Sequence, residues 1–257
     1  MREKLPKLSV ITLALNEEHN IVDCLESVKW ADEIIVVDSG STDKTVELAR
    51  RYTSTVLNVE WKGYGATKNF ALQQTTGEWI FWLDADERVP KELAEEIQAV
   101  VRENNSGFAG YDVARRAYFL GKWIRHCGWY PGRVTRVFRK AKSRFTESNV
   151  HEQIVVDGKI GALKNDLLHF TDPNLEHYFQ KFNRYTSLAA QDLRAAGKRF
   201  SLYDVLARPP FLFFKMYILK RGFLDGIHGF ILCVASATYV FTKYAKLWEM
   251  EHNSQRE

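Results

Sequence analysis

The sequence is poor in several features that would each indicate a particular class of protein. Its 257 residues include three cysteines, Cys24, Cys127 and Cys233, an odd number without the paired spacing of a zinc site. This excludes a disulfide-rich scaffold and a cysteine-based zinc module, and it favours a reducing cytosol. The first apolar segment, residues 8–13, is short and has no cleavage signature, so we expect a strand there and not a signal peptide.

Long uncharged runs and glycine-rich loops are also missing. Residues 229–242 form an uncharged run of 14 residues, whereas a membrane-spanning helix needs about 20. The sequence contains neither Gly-x-Gly-x-x-Gly nor Gly-x-x-x-x-Gly-Lys-Ser/Thr, which excludes the common dinucleotide-binding and NTPase loops. It also lacks internal repeats, low-complexity tracts and RNA- or DNA-binding motifs, so we expect no nucleic-acid partner.

The net charge of +4 is unevenly distributed along the chain. Residues 1–100 contain 11 basic and 18 acidic side chains, residues 101–180 contain 13 and 8, and residues 181–257 contain 12 and 6. An acidic first part suits metal binding. The basic remainder suits a phosphate-bearing ligand or an anionic membrane.

The hydrophobic pattern predicts an α/β fold. Short apolar runs predict strands at residues 8–14, 33–37, 53–59 and 78–83. Amphipathic runs between and after them predict helices at residues 18–28, 41–52, 67–74 and 90–102, the second capped by Ser41 or Thr42. This alternation predicts a mostly parallel sheet flanked by helices. Residues 107–168 predict loops and short strands, and residues 175–196 predict a further helix.

Polar residues follow three of the predicted strands. Asn16 and Glu17 follow the first strand, Asp38 and Ser41 the second, and the segment Asp84-Ala85-Asp86 the fourth. Each alone is better explained as a helix cap or a turn. Because the carboxyl ends of parallel strands meet at one sheet edge, together they predict a site there. Carboxylates at this spacing suit Mg²⁺ or Mn²⁺, which accept oxygen ligands, water and substrate phosphates.

Four blocks, residues 8–20, 36–45, 63–72 and 79–87, resemble the signature blocks of family 2 glycosyltransferases, which have the Rossmann-like GT-A fold. The resemblance implies that Asp38 contacts the nucleotide base, that Lys68 lies near the base or phosphates, and that Asp84 and Asp86 form a metal and sugar motif. Further donor contacts are implied for Leu15, Asn16, Glu17, Ser41 and Ala85. Many members have Pro-x-Tyr where this chain has Leu13-Ala14-Leu15, which leaves Asn16 and Glu17 in place.

The resemblance also implies a general base in the second half of the chain. Glu152 in Val150-His151-Glu152 matches the block that carries the base, with His151 as its orienting group or an acceptor contact. The alternative is an exposed Glu152 in a salt bridge. His169 is a candidate third metal ligand, with a core histidine as the alternative.

The segment Trp129-Tyr130-Pro131-Gly132-Arg133 combines aromatic faces, which stack on sugars, with a phosphate-binding cation. It predicts a clamp for the acceptor or the donor phosphate. A tight turn with a packed tryptophan explains it equally well.

Residues 201–257 are apolar, aromatic and basic. They predict a helical, amphipathic extension on an anionic membrane, with five cations meeting the headgroups: Lys215, Lys220, Arg221, Lys243 and Lys246. The alternative is a helical pair packed on the core or on a second subunit. We expect a peripheral protein on the cytoplasmic face of the inner membrane.

The whole-chain resemblance, including residues 150–152, 223–226 and 246–249, is to lipopolysaccharide inner-core glucosyltransferases. It implies an inverting, Mn²⁺- or Mg²⁺-dependent enzyme that moves a hexose from UDP-glucose to a lipopolysaccharide core or related glycan. The expected parts are a nucleotide-sugar half (1–105), an acceptor half (106–200) and the extension (201–257). The alternatives are a polyprenyl-phosphate glycosyltransferase, a sugar nucleotidyltransferase and a non-enzymatic membrane-binding module.

Overall fold

The computed structural model describes residues 6–60, 63–104, 107–146 and 153–253. The strands are β1 (Leu8–Ala14), β2 (Glu33–Asp38), β3 (Val56–Asn58), β4 (Trp79–Trp82), β5 (Glu87–Arg88), β6 (Phe108–Phe119), β7 (Lys122–Trp123), β8 (Gly132–Arg139), β9 (Ser143–Phe145), β10 (Ile154–Val156), β11 (Lys159–Ala162) and β12 (Leu167–Asp172). The helices are α1 (Ile21–Glu26), α2 (Thr45–Ala49), α3 (Tyr64–Gln74), α4 (Lys91–Glu103), α5 (Leu175–Ala195), α6 (Leu202–Leu206), α7 (Arg208–Phe214) and α8 (Gly226–Asn253).

The main sheet is mixed, with the order β3-β2-β1-β4-β8-β6-β12-β5. Strands β3, β2, β1 and β4 run parallel, as the alternation of strands and helices predicts. Beyond β4 the sheet is mixed, because β8 pairs antiparallel with β4 and β5 pairs antiparallel with β12, whereas β11 pairs parallel with β6. Strands β7 and β11 pair with β6, and β9 and β10 form a separate two-stranded sheet. The α/β prediction is therefore confirmed.

The chain forms two compact units. The first comprises Met1–Arg115 and Arg133–His169, and the second comprises Arg116–Gly132 and Phe170–Glu257. The boundaries fall within β6 and β12 and at the start of β8.

The core of the first unit lies on both faces of its parallel strands. All four residues of β4 are buried, as expected for a strand covered on both faces. One cluster joins β4 to Leu93 and Ile97 of α4, and another joins it to Ala71 of α3 and to Phe145. Full burial of each large apolar side chain stabilises the unit by about 1.5–3 kcal/mol.

The four helix starts predicted for the first hundred residues differ from the observed starts by one to four residues. Helix α4 begins at Lys91 with Pro90 outside it. Helix α2 begins at Thr45 and not at residue 41, because the Asp43 carboxylate accepts the Thr45 amide hydrogen at 2.9 Å. Ser41 instead accepts a hydrogen bond from Asn16, which takes it away from a capping role.

The second unit is mainly helical. Helix α8 packs against α5 and α7. At its start, Gly229 lies close to the turn that precedes the helix, because a Cβ at this position would be 2.0 Å from the Gly222 oxygen. The buried Asp225 accepts the amide hydrogens of Arg125 (3.2 Å) and His126 (2.8 Å). These bonds attach the segment after β7 to the start of α8.

Helix α8 is longer than the uncharged run in the sequence. With the turn before it, Gly222–Asn253 is long and apolar enough to suit a membrane span by length and composition alone, with a mean hydropathy of 1.5 in its most apolar window. Its Lys246, however, donates hydrogen bonds to Ser187 (2.7 Å) and Thr186 (2.9 Å) of α5. One side of this helix is therefore a packed, partly polar surface.

Candidate active site

The loops after β1 and β2 are hydrogen-bonded to each other. Parallel pairing sets Ala14 beside Asp38, so both loops leave the same edge of the sheet. The amide of Asn16 donates to Ser41 Oγ at 2.8 Å, and the amide of Glu17 donates to Thr45 Oγ1 at 2.7 Å. Asn16 has a positive φ of 56°, a conformation that asparagine tolerates better than most residues. The structure thus brings Asn16, Glu17 and Ser41 together at the predicted edge.

The two carboxylate oxygens of Asp38 differ in their hydrogen bonding. Its Oδ2 accepts the amide hydrogens of Gly40 and Ser41, both at 3.0 Å. Its Oδ1 is buried and, among the described residues, has no hydrogen-bond partner. Leaving a buried acceptor unpaired costs about 1–3 kcal/mol, so this oxygen is suited to receive a hydrogen bond from a ligand. Leu15, 40% exposed, lies in the loop after β1.

The loop after β4 is held closed by Glu87 and Arg136. The Asp84 amide donates to Glu87 Oε2 at 3.0 Å, and the Glu87 amide donates to the Asp84 carbonyl at 2.9 Å. Arg136 Nη2 donates both to Asp84 Oδ2 and, at 2.6 Å, to Glu87 Oε1. The other oxygen of Asp84 accepts from Trp82 Nε1 at 3.0 Å. Both oxygens of Asp84 are therefore engaged within the protein.

Burial and charge act in opposite directions on these carboxyl groups. Burial raises the pKa of Asp84, but the positive charges of Arg136 and Lys68 outweigh it and hold the pKa well below its usual range. Glu87 is fully buried, and there burial outweighs Arg136 and raises the pKa. Burial lowers the pKa of Arg136, but the two carboxylates outweigh it, and the guanidinium stays charged.

Lys68 and Ala85 complete this side of the site. Lys68 on α3 is nearly buried, with its Nζ 4.8 Å from the ring centre of Trp82 and 5.2 Å from that of Phe145. Contacts of a cation with aromatic faces stabilise it and fix its position. Ala85 is buried, and its carbonyl accepts a hydrogen bond from Arg88 at 2.9 Å.

Asp86 and His169 form a second pair beside this loop. Antiparallel pairing of β12 with β5 sets His169 opposite Glu87, and its Nε2 lies 3.4 Å from Asp86 Oδ2. The two side chains retain 17% and 18% exposure. Burial lowers the pKa of His169, but the hydrogen bond and charge of Asp86 outweigh it and raise the pKa.

This pair fits a divalent metal ion. Adjacent ligands of an octahedral ion with bonds of about 2.1 Å lie about 3 Å apart, close to the separation of the two atoms. In the described part of the chain, no group of three or more His, Cys, Asp or Glu side chains could hold a metal ion together. The residues present therefore suit an ion that takes its remaining ligands from substrate oxygens and water.

Arg115 is a residue that the sequence analysis did not select. It lies on β6, and its Nε is buried without a hydrogen-bond partner in the described ranges. Burial, followed by repulsion from Arg136, lowers its pKa, while Glu87, Asp84 and Asp86 partly offset both effects. A detectable signal was the charged pair Arg115-Arg116 between two alanines inside a predicted strand region. The site therefore contains a half-buried cation, with one buried N–H that could bond to an anion.

The residues of the predicted clamp fall in both compact units. Trp129 and Tyr130 belong to the second unit and Arg133 to the first. Trp129 packs edge-on against Phe119, with ring centres 6.2 Å apart, and Tyr130 packs in the same way against Trp123 at 5.4 Å. Arg133 Nη1 donates to the backbone carbonyl of Leu163 at 3.2 Å. The predicted base and its partner, Glu152 and His151, lie outside the described residues.

Comparison with known proteins identifies the family. The profile of the family described as Glycosyl transferase family 2 matches residues 9–158. The chain is 35% identical to the lipopolysaccharide core biosynthesis glycosyltransferase LpsC of Rhizobium meliloti, covering 97% of this chain and 94% of that protein. It is 32% identical to an uncharacterized glycosyltransferase of Rickettsia felis, covering 95% and 90%. Among solved structures, S. aureus TarS 1-349 aligns with 96% of this chain and 92% of that chain, with 18% identity and a TM-score of 0.48. The chain belongs to glycosyltransferase family 2 and is a glycosyltransferase with a GT-A fold.

Proposed function

We propose that this enzyme moves glucose from UDP-glucose to a lipopolysaccharide core acceptor, with inversion at the anomeric carbon and with a divalent metal ion. The observation that carries the proposal is the Asp86–His169 pair, 3.4 Å apart beside the Arg136-bound carboxylate of Asp84. The acceptor class is supported by the 35% identity to LpsC over nearly the full length of both chains.

The donor nucleotide is assigned to the edge formed by the loops after β1 and β2. Uracil presents one ring N–H, and the unpaired Asp38 Oδ1 is an acceptor suited to it. Leu15, Asn16, Glu17 and Ser41 form the adjoining loops. We assign Lys68, Asp84 and Ala85 to contacts with the ribose and phosphates of the donor.

Asp86 and His169 are the residues that would hold Mn²⁺ or Mg²⁺. When bound, the metal supplies positive charge that stabilises the leaving diphosphate. Asp84 is not assigned as a ligand, because Trp82 and Arg136 already engage its two oxygens. The half-buried cation of Arg115 adds a second positive charge for the same diphosphate.

Direct displacement at the anomeric carbon requires one general base, since the acceptor hydroxyl must lose its proton. We assign this role to Glu152 and the orienting role to His151, on the family resemblance of the block that contains them. Trp129, Tyr130 and Arg133 remain the proposed acceptor contacts. In this assignment residues 1–105 bind most of the nucleotide sugar, while residues 106–200 bind the acceptor and add Arg115 and His169 at the diphosphate.

The second unit is proposed to rest on an anionic membrane surface on the cytoplasmic side. Several large apolar side chains of this unit are more than 60% exposed: Leu202, Tyr203, Leu206, Phe211 and Ile227. Residues 199–248 contain two acids, Asp204 and Asp225, and both are buried. An apolar surface with exposed cations and no exposed acid suits anionic headgroups.

Three of the five predicted headgroup contacts agree with this surface. Lys215, Lys220 and Arg221 are exposed. Lys246 is bonded to α5, and Lys243 lies 4.9 Å from the ring centre of Tyr244, where burial lowers its pKa. We therefore omit Lys243 and Lys246 from the membrane contacts.

The test is transfer of radiolabelled glucose from UDP-glucose, with Mn²⁺ or Mg²⁺, to a purified core oligosaccharide acceptor and separately to undecaprenyl phosphate. We expect label in the core acceptor, and its loss in Asp86→Asn. Asp157→Asn, which removes an exposed charge from a turn, should retain full transfer. Label in the undecaprenyl lipid alone would instead establish the polyprenyl-phosphate alternative.

A further inference from the structure

The second unit contains a cavity whose two lysines have no role in the proposed transfer reaction. Its volume is about 510 Å³, and it lies between α5, α7, α8 and the turn Lys215–Leu219. Its walls are largely aromatic and aliphatic, while two lysines lie at its edge. The residues that matter for the argument are Trp129, Tyr178, Met216, Tyr239, Lys215 and Lys220. We call this space the Lys215/Lys220 cavity.

A π-turn brings the two lysines to the same side of the chain. The Lys220 amide donates to the Lys215 carbonyl at 2.8 Å, which is the five-residue bond of a π-helix, a rare conformation often found at functional sites. The side-chain stem of Lys220 lies over Gly128, whose φ is +80°. The Lys220 carbonyl accepts the Cys127 amide hydrogen at 3.1 Å. Hydrogen bonds of both its amide N–H and its carbonyl oxygen therefore fix the backbone of Lys220.

Neither lysine is neutralised within the described ranges, where no ion pair to Lys215 or Lys220 is present, although both line the cavity. Elsewhere in this unit, Asp204 pairs with Lys198 and Arg208, and Asp225 pairs with His126. Two uncompensated ammonium groups at one cavity mouth favour an anionic ligand.

The cavity walls favour a ligand with an apolar part. Trp129 and Tyr178 both pack edge-on against Phe119, so they form a fixed aromatic wall beside Met216. Burial raises the pKa of Tyr178 to about 12, so its hydroxyl stays protonated at neutral pH. The Tyr239 hydroxyl donates to the Tyr185 carbonyl at 3.3 Å. A free inorganic anion would leave most of this wall without a partner.

An uncharged groove lies between α7 and α8. Its volume is about 300 Å³, and it is lined by Pro209, Pro210, Phe213, Val234, Ala237, Thr238 and Phe241. The two spaces share no lining residue, and at about 100° per residue the α8 residues that line the cavity lie on the opposite face of that helix from those that line the groove. The acyl part of a ligand bound at the two lysines would therefore lie against the aromatic wall of the cavity itself.

We propose that the Lys215/Lys220 cavity binds an anionic phospholipid, with its phosphate at the two lysines and the start of its acyl chain against the aromatic wall formed by Trp129 and Tyr178. The assignment rests on the proposed membrane association and makes it more specific. Exposed side chains of the same segment, Phe211, Phe214 and Leu219, would enter the acyl region beside the bound lipid. Saturable binding of one lipid thereby adds to the nonspecific attraction of a basic, apolar surface.

The test uses the purified full chain and three soluble probes in calorimetric titrations: monomeric dihexanoyl-phosphatidylglycerol, dihexanoyl-phosphatidylcholine and inorganic phosphate. We expect saturable binding of phosphatidylglycerol, about tenfold tighter than either of the other two. Lys215→Gln/Lys220→Gln should weaken that binding about tenfold. Arg184→Gln/Arg199→Gln removes two exposed charges from the same unit and should leave it nearly unchanged. The proposal would be overturned if both double variants lost affinity for phosphatidylglycerol equally, or if the wild type bound inorganic phosphate as tightly as phosphatidylglycerol. It would also be overturned if phosphatidylglycerol binding did not saturate.

Two further measurements separate failure of the cavity from failure of the proposed function. Sedimentation with phosphatidylglycerol vesicles tests membrane association itself, so wild-type chain that stays in solution contradicts that part. Wild type and the double lysine variant sedimenting equally would refute the cavity alone. Transfer to a deacylated, water-soluble core acceptor should be unchanged in the lysine variant, which also shows that the variant is folded.

Discussion

The imidazole Nε2 of His169 lies 3.4 Å from Oδ2 of Asp86, although the two residues come from distant parts of the sequence. Backbone pairing of β12 with β5 produces this proximity. The sheet thus sets a histidine nitrogen and a carboxylate oxygen at a separation that the ligands of an octahedral ion also have. Neither residue alone would distinguish a metal site from an ordinary ion pair.

Removing either proposed metal ligand should weaken metal binding more than it affects the stability of the fold. We expect His169→Ala and Asp86→Asn each to lower the affinity for Mn²⁺ in the presence of UDP at least tenfold, and glucosyl transfer correspondingly. Calorimetric Mn²⁺ titrations measure the first and the transfer assay the second. His177→Ala is the matched control, since its imidazole lies 3.1 Å from Asp172 in the second unit. Normal metal affinity in both ligand variants would remove these residues from the metal site.

Arg136 should be the main determinant of the fold of the Asp84 loop. Arg136→Met leaves the carboxylates of Asp84 and Glu87 without their shared donor. Stranding a buried charge in this way costs about 3–5 kcal/mol in free energy of unfolding. Urea denaturation measures the loss.

The matched variant for Arg136→Met is the double substitution Arg136→Met/Glu87→Gln. It removes the fully buried charge of Glu87 as well, so it should recover part of the lost stability. An additive loss in the double variant would show that Arg136 and Glu87 are not energetically coupled.

The sequence predicted the residues that follow the parallel strands and missed Arg136, on the antiparallel strand β8, for a physical reason. Asn16, Asp38 and Asp84 each follow a strand whose pattern is clear, and parallel pairing sets those strand ends together. Arg136 acts on Asp84 because β8 pairs antiparallel with β4. No local spacing encodes that long-range choice. The short helix α2 shows a different limit, since Ser41 contacts Asn16 across two loops instead of capping the helix.

Asp225 should control the stability of the second unit. Its buried carboxylate accepts two backbone amide hydrogens and lies 3.1 Å from the His126 ring. Hydrogen bonds to a charged acceptor contribute about 1.5–3 kcal/mol, so Asp225→Asn should lower the free energy of unfolding by about that amount. Hydrogen exchange should show faster exchange of the Arg125 and His126 amides, while Asp192→Asn leaves them unchanged. Unaltered protection of both amides in Asp225→Asn would contradict the assignment.

The last prediction concerns the choice of nucleotide base. Asp38→Asn can still accept the Gly40 and Ser41 amide hydrogens through its carbonyl oxygen. Its NH₂ group then replaces the unpaired Oδ1 and presents a donor where wild type presents an acceptor. A uracil N–H would meet this donor unfavourably, whereas the unprotonated ring nitrogen of cytosine would accept from it.

We therefore expect Asp38→Asn to bind UDP about 10–100-fold more weakly than wild type, because a site built to pair with one hydrogen-bonding group rejects its opposite. Binding of CDP should strengthen relative to UDP in the same variant. Competitive titration of both nucleotides against both proteins measures the ratio. Asp38→Ala serves as the control, because it weakens UDP without supplying a donor for cytosine. An unchanged preference for UDP in Asp38→Asn would show that the free oxygen of Asp38 does not contact the base.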